Sequence, residues 1–450
     1  MKRVTFLSVI LICTFLFVSA KSIGLNGSWE GKLNISPELS LRIVLNITDN
    51  GTDGLAITMD SPDQGAYGLP MVVIESTPYT FTSSYNQAGI TVNGSLMGSF
   101  IMGEFEQGGL KLPITLLPKV KVRPQTPVGP FPYNTEEVTF KSAADEIKLD
   151  GTLTLPGNAD FSTPIAVMVT GSGLQNRDEE IFDHKPFAVI ADYLARNGIG
   201  SLRYDDRGFD RSKGILPNEN SEGNMLDALG AINFLKDRGY KKIGIIGHSE
   251  GGLIADMIAS KDKNFAFVIE IGGPSVPGDM ILLFQNRKIL SDAQMPDNIV
   301  TMYNEAMKGY FDSQKDVSPV EFDESQYEIF SEKWVEDPVV APLVKNLKDN
   351  FAVLAPWLRY FINYDPLSDL KQLEAPLMMI YGGKDIQVPA DMNGDVVKKE
   401  VPKALLKIYP DKNHLMQTCE TGNIGEYDQI EETISPDVLS DIKEFILSIR

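Results

Sequence analysis

Lys242-Ile243-Gly244-Ile245-Ile246-Gly247-His248-Ser249-Glu250-Gly251-Gly252-Leu253-Ile254-Ala255-Asp256-Met257-Ile258-Ala259 is the stretch on which the reading of this chain turns. An apolar run through Ile246 reads as a buried strand, and Leu253 to Ala259 as a helix. Between them stands Gly-x-Ser-x-Gly, the nucleophile elbow, which exposes a serine on a turn so tight that its neighbours must be small. A serine hydroxyl is a poor nucleophile at neutral pH and needs a base beside it. The chain has three histidines. His248 is in the elbow itself and cannot reach round to its neighbour. His184 lies far upstream, in the polar stretch after Gly171-Ser172-Gly173. That leaves His414, on the loop Pro410-Asp411-Lys412-Asn413-His414 after the strand-like Ala404 to Tyr409. Ligands of parallel sheets gather at such carboxyl ends.

In this context the elbow resembles that of the α/β-hydrolases, and the resemblance covers about Pro132 to Arg450. It implies the chain order serine, acid, histidine. Pro376 to Tyr381 reads as a buried strand running into Gly382-Gly383-Lys384-Asp385, so Asp385 is the expected partner of His414, with Asp365 and Asp411 as fallbacks. An oxyanion needs two N–H donors. One is the backbone of Glu250. The other falls to Gly173 or Leu174, in the loop after the strand Pro164 to Thr170. Within the superfamily the chain resembles bacterial carboxylesterases with a Gly-Ser-Gly-x-x-x-Arg-Asp-Glu segment, here Gly171 to Glu179. Leu174 and Asn176 stand where members usually carry Pro and Asp. Arg203 to Ser212 resembles the superfamily's Asp-x-Arg-Gly-x-Gly-x-Ser segment, with Asp210 in place of a glycine. These charged runs are expected to form ion pairs that hold loops beneath the site; substrate binding by Arg177 or Arg207 is the alternative.

The fold expected is an α/β-hydrolase fold, a mainly parallel sheet with helices on both faces, over 135–450. The strand–helix rhythm breaks from about Pro274 to Tyr364, a helix-prone stretch rich in Met and aromatics, from Met280 through Trp334 to Phe361. It is expected to be a cap insertion. Before the linker the pattern differs. Leu39, Leu41, Ile43, Leu45 and Ile47 alternate with polar residues, and Gly, Asn, Asp and Ser turns separate further short strands. Residues 21–117 are therefore expected to form a small antiparallel β-sandwich or barrel. Gly27-Ser28-Trp29-Glu30-Gly31 is faintly similar to the opening of lipocalin-like barrels. A proline-rich linker spans 118–134, with an arm packed on the catalytic domain as the alternative.

Residues 1–20 read as a cleavable signal peptide: Lys2-Arg3, an apolar run from Val4 to Val18, then Ser19-Ala20. Ile12, bulky before Cys13, argues against a lipid anchor. Cleavage leaves Cys419 alone, so no internal disulfide can form. The expected location is periplasmic or secreted. A net charge of −20 argues against nucleic acid and anionic membranes. No cofactor or metal is expected, since clustered His or Cys with ligand spacing is absent. The partner expected is a small-molecule ester, with a glycan or protein contact left open for the β-domain. The function expected is a serine hydrolase of carboxylic esters. A serine peptidase or aminopeptidase on the same fold, and a non-catalytic binding module, are the alternatives.

Overall fold

The computed structural model describes residues 24–36, 39–49, 54–64, 66–119, 123–214, 220–292, 294–315 and 356–449. The expected signal peptide, part of the expected cap and Trp334 lie outside them. The chain divides into two compact units, one ending at Val122 and the other running from Arg123 to the C-terminus.

The first unit is a closed antiparallel barrel of eight strands in sequence order. They are β1 (Gly27–Ser36), β2 (Leu39–Asp49), β3 (Leu55–Ser61), β4 (Ala66–Ser76), β5 (Thr80–Tyr85), β6 (Ile90–Met97), β7 (Phe100–Gln107) and β8 (Leu110–Pro118). Of the two architectures the alternating pattern allows, the barrel forms, because β1 pairs with β8 through Trp29 and Pro118 and leaves no edge. Inward residues such as Leu45, Ile57, Val92, Ile101 and Leu116 are buried.

The second unit holds an eight-stranded sheet. Its strands are β9 (Asn134–Lys141), β10 (Lys148–Leu155), β11 (Ile165–Val169), β12 (Gly200–Tyr204), β13 (Ile243–His248), β14 (Val268–Ile271), β15 (Leu377–Gly382) and β16 (Leu405–Tyr409). Their order is β16-β15-β14-β13-β11-β12-β10-β9. β10 is antiparallel to β9 and β12, and the pairs from β12 through β16 are parallel. β11, β13, β14 and β15 are buried throughout, which is why they read as continuous apolar runs.

Alternate residues feed two cores. Ala166, Met168, Ile246 and Ile380 pack with α1 (Pro186–Arg196) and the Pro436–Ser448 helix. Val167, Ile245 and Met379 share the other core with α2 (Ser221–Asp237) and α3 (Glu250–Ala259). α4 (Gly278–Asp292), α5 (Asp297–Gln314) and the helical residues 356–363 join that second core through Ile281, Met307, Phe311, Trp357 and Phe361. This is the described part of the insertion between β14 and β15.

From Arg123 the proline-rich stretch is an arm bound to the second unit rather than a free connector. The Arg123 guanidinium donates to the carbonyls of Phe182 (2.9 Å), Asp428 (3.0 Å) and Ile430 (3.1 Å). Gln125 donates to the Ile434 carbonyl (2.7 Å) and accepts from the Thr433 N–H (2.6 Å).

Candidate active site

β13 ends at His248 and α3 begins at Glu250, so Ser249 forms the whole turn. Its φ of 52° is left-handed, a conformation that costs a non-glycine residue free energy and here lifts the side chain off the sheet. The turn is held by Ser249 N–H to the Ile271 carbonyl (2.9 Å) and Gly252 N–H to the Ser249 carbonyl (2.9 Å). The flanking glycines are obligatory. A Cβ on Gly247 would lie 2.0 Å from the Gly251 carbonyl oxygen, and one on Gly251 would lie 2.1 Å from that of Val169.

Asp385 and His414 come together at the ends of β15 and β16. His414 Nδ1 lies 2.7 Å from Asp385 Oδ2. Oδ1 of the same carboxylate accepts the N–H groups of Gln387 (2.7 Å) and Val388 (2.9 Å). With both oxygens occupied, the carboxylate is fixed and oriented. An ionised Asp385 keeps the proton on Nδ1 and leaves Nε2 as the basic nitrogen. Gly272 lies against this ring: a Cβ there would be 3.0 Å from His414 Cε1. Gly272 directly follows Ile271, the residue that anchors the Ser249 N–H. The two fallback acids are engaged elsewhere. Asp365 caps the Pro366–Leu370 helix by accepting from the Leu367 N–H, and Asp411 pairs with Lys412.

The loop after β11 lies against the elbow, since a Cβ on Gly171 would be 3.0 Å from that of Ser249. Gly173, at φ 91°, and Leu174 follow in this loop. The Glu250 backbone heads α3, where N–H groups are free of helical partners.

Three linkages escaped the sequence reading. The sequence marks Glu250 only as a backbone donor, yet its buried carboxylate accepts from Ser172 Oγ (2.5 Å), Ser221 Oγ (2.6 Å) and Trp357 Nε1 (2.8 Å). One side chain thus ties the loop after β11, the start of α2 and the insertion to the elbow. His248 is the second. Its Nε2 lies 3.1 Å from the His414 carbonyl oxygen and its Nδ1 2.8 Å from Glu179 Oε1. The third is Glu179 itself, which also accepts the Gly171 N–H at 2.9 Å. A chain of contacts therefore runs from the loop after β11 to the His414 backbone. Burial disfavours a charged His248, but the Glu179 carboxylate, with the His414 carbonyl and Asp385, outweighs it and holds the pKa above the ordinary value. The charged Arg-Asp-Glu run is the signal that could have pointed to Glu179.

Arg177 and Arg207 are held by acids. Arg177 binds Asp205 through Nε (2.9 Å) and Nη2 (2.6 Å), and Arg207 binds Asp227 and Asp145. His184 is buried among Thr433 Oγ1 (2.9 Å), the Tyr427 carbonyl (3.0 Å) and Gln417 (3.0 Å), and burial lowers its pKa. Burial pushes the Cys419 thiol up to about 11, away from a reactive thiolate. Among the described residues no helix is long and apolar enough to cross a membrane.

Residues 230–335, which contain the elbow, match the family described as BAAT / Acyl-CoA thioester hydrolase C terminal. The chain is 27% identical over 303 residues to "Esterase EstD" of Thermotoga maritima. That match takes in 65% of this chain and spans 62% of the relative's length. Among solved structures, the esterase PF2001 of Pyrococcus furiosus is 16% identical with a TM-score of 0.45, over 73% of this chain and 98% of that one. Est1E of Butyrivibrio proteoclasticus, with ferulic acid bound, is 16% identical with a TM-score of 0.43, over 69% and 99%.

Proposed function

We propose, for a chain whose second unit has the α/β-hydrolase fold, that it is an exported serine hydrolase of carboxylic esters. The observation that carries the reading is a strained elbow serine after β13 and a carboxylate-bound histidine after β16, both at the carboxyl ends of one parallel run of strands and linked through His248 Nε2, 3.1 Å from the His414 carbonyl. Ser249 attacks the ester carbonyl while His414 Nε2 takes its proton. Asp385 stabilises the imidazolium, and the Glu250 N–H with one from Gly173 or Leu174 receives the oxyanion. His414 then protonates the leaving alcohol, and water releases the acyl group by the same steps in reverse. The likeness to a protein named as an esterase supports ester over peptide substrates. The family match over the elbow adds thioesters as a second acyl donor for the same machinery. The basic, apolar, small-residue pattern of residues 1–20 supports export.

The test is a panel of p-nitrophenyl esters of rising acyl length, run beside acyl thioesters and aminoacyl-nitroanilides. Turnover of esters far above that of nitroanilides is expected. The reverse ranking would replace the reading with a peptidase, and no turnover of any substrate would favour a binding protein.

A further inference from the structure

The barrel is packed at one end and hollow at the other. At the packed end a Cβ on Gly94 would lie 2.6 Å from the Phe81 ring, and Trp29 donates to the Leu25 carbonyl (2.7 Å). The other end encloses a cavity of about 390 Å³, within the roughly 300–1,000 Å³ range of small-molecule sites. Its wall is apolar, with Leu33, Ile43, Met59, Ile90 and Phe105 all nearly inaccessible to solvent. Ser61, Gln64 and Gln107 supply the polar groups, and among the described residues no lining residue is charged. Two lining residues, Ile35 (39% exposed) and Leu110 (53%), present apolar surface to water. Eight strands is the size at which a barrel can be filled by its own side chains or hold one small ligand. Here the side chains fill half.

We propose that the barrel is a binding site for one neutral, single-chain amphiphile, such as a medium-chain alcohol or ester. At roughly 30 Å³ per non-hydrogen atom, taking the share of a water molecule, the cavity holds about a dozen atoms. The alkyl chain lies toward Phe105 and Met59, and the hydroxyl or ester group meets the Ser61, Gln64 and Gln107 side chains. A carboxylate would be desolvated with no cation among the described lining residues to compensate, so the neutral head is preferred. The site is separate from the Ser249 chemistry and stands without it.

The test uses the full chain carrying Ser249→Ala, so that bound esters are not consumed. N-phenyl-1-naphthylamine is titrated in and displaced with 1-decanol or decanoate at pH 8. Saturable 1:1 binding is expected, with decanol displacing the probe at least about tenfold better than decanoate. Ala66→Trp and Leu112→Trp fill the cavity from different strands. Each should weaken probe binding at least about tenfold, while the same substitutions with Ser249 restored leave turnover of a short ester unchanged. A photoreactive diazirine analogue of decanol on the otherwise unaltered chain removes any dependence on how the variants fold. Its cross-links should map to β1–β8. Cross-links confined to residues 123–449, undiminished binding in both filled variants, preference for decanoate, or no saturable binding would each overturn the proposal.

Discussion

Glu270 of β14 and Asp256 of α3 lie beneath the elbow, both buried, and their carboxyls face each other, sharing a hydrogen bond that requires a proton on one of them; among the described residues neither has another partner. Burial holds Asp256 well above the usual carboxylate range, helped by its acidic neighbour, and pushes Glu270 from 4.5 up to about 8. The folded state therefore keeps a proton that the unfolded chain has released. Stability should fall as pH rises through this window and level off above it. Glu270→Gln should flatten the decline. Thermal melts at pH 5 and pH 8 measure it, and parallel slopes for the two proteins would remove Glu270 as the cause. His248 gives a second contrast. Its contact with the His414 carbonyl positions rather than reacts, so His248→Gln should keep activity within about tenfold, whereas His414→Gln should lose about 10⁴-fold. Equal losses would make His248 a participant in the chemistry. His414 and Asp385 are legible in the sequence because each follows a recognisable strand. The His248–Glu179–Gly171 linkage is not, because it joins segments about seventy residues apart and nothing local marks it.

The strands and helices around the elbow are legible for a related reason. β11, β13, β14 and β15 are buried on both faces, and burial of that kind writes itself as uninterrupted apolar runs. Barrel closure is less legible. Alternation gives each strand one inward face in a sandwich and in a barrel alike, and only the pairing of β1 with β8 separates them. Packing at the elbow makes a sharp prediction. Gly251→Ala drives a methyl group into the Val169 carbonyl, 2.1 Å away, joining two rigid elements that cannot both yield. The substitution should cost about 1–3 kcal/mol in stability, seen by denaturant unfolding, and abolish turnover through a displaced Ser249. Full activity in Gly251→Ala would mean that the turn tolerates more movement than its geometry implies.

At the scale of the whole molecule, every residue of the proposed machinery lies in the unit that begins at Arg123. A truncated chain starting just before Arg123 should turn over a short ester as the full chain does. One starting at Pro132 should melt lower, because Phe182, Asp428, Ile430 and Ile434 lose the donors that Arg123 and Gln125 supply to their carbonyls. Equal melting of the two truncated chains would show that the arm is incidental. The proline cluster reveals that the chain changes character there. It does not reveal that the arm is bound, since the acceptors lie 59 residues away at Phe182 and some 300 residues away at Asp428, Ile430 and Ile434. The central claim, that Ser249 is the nucleophile, is tested most directly by reacting the full chain with a fluorophosphonate and locating the adduct by peptide mass spectrometry. The account predicts a single adduct on Ser249, with labelling and ester turnover both lost in a normally folded Ser249→Ala, turnover by about 10⁴-fold or more. An adduct on another residue, or turnover that survives Ser249→Ala, would contradict it.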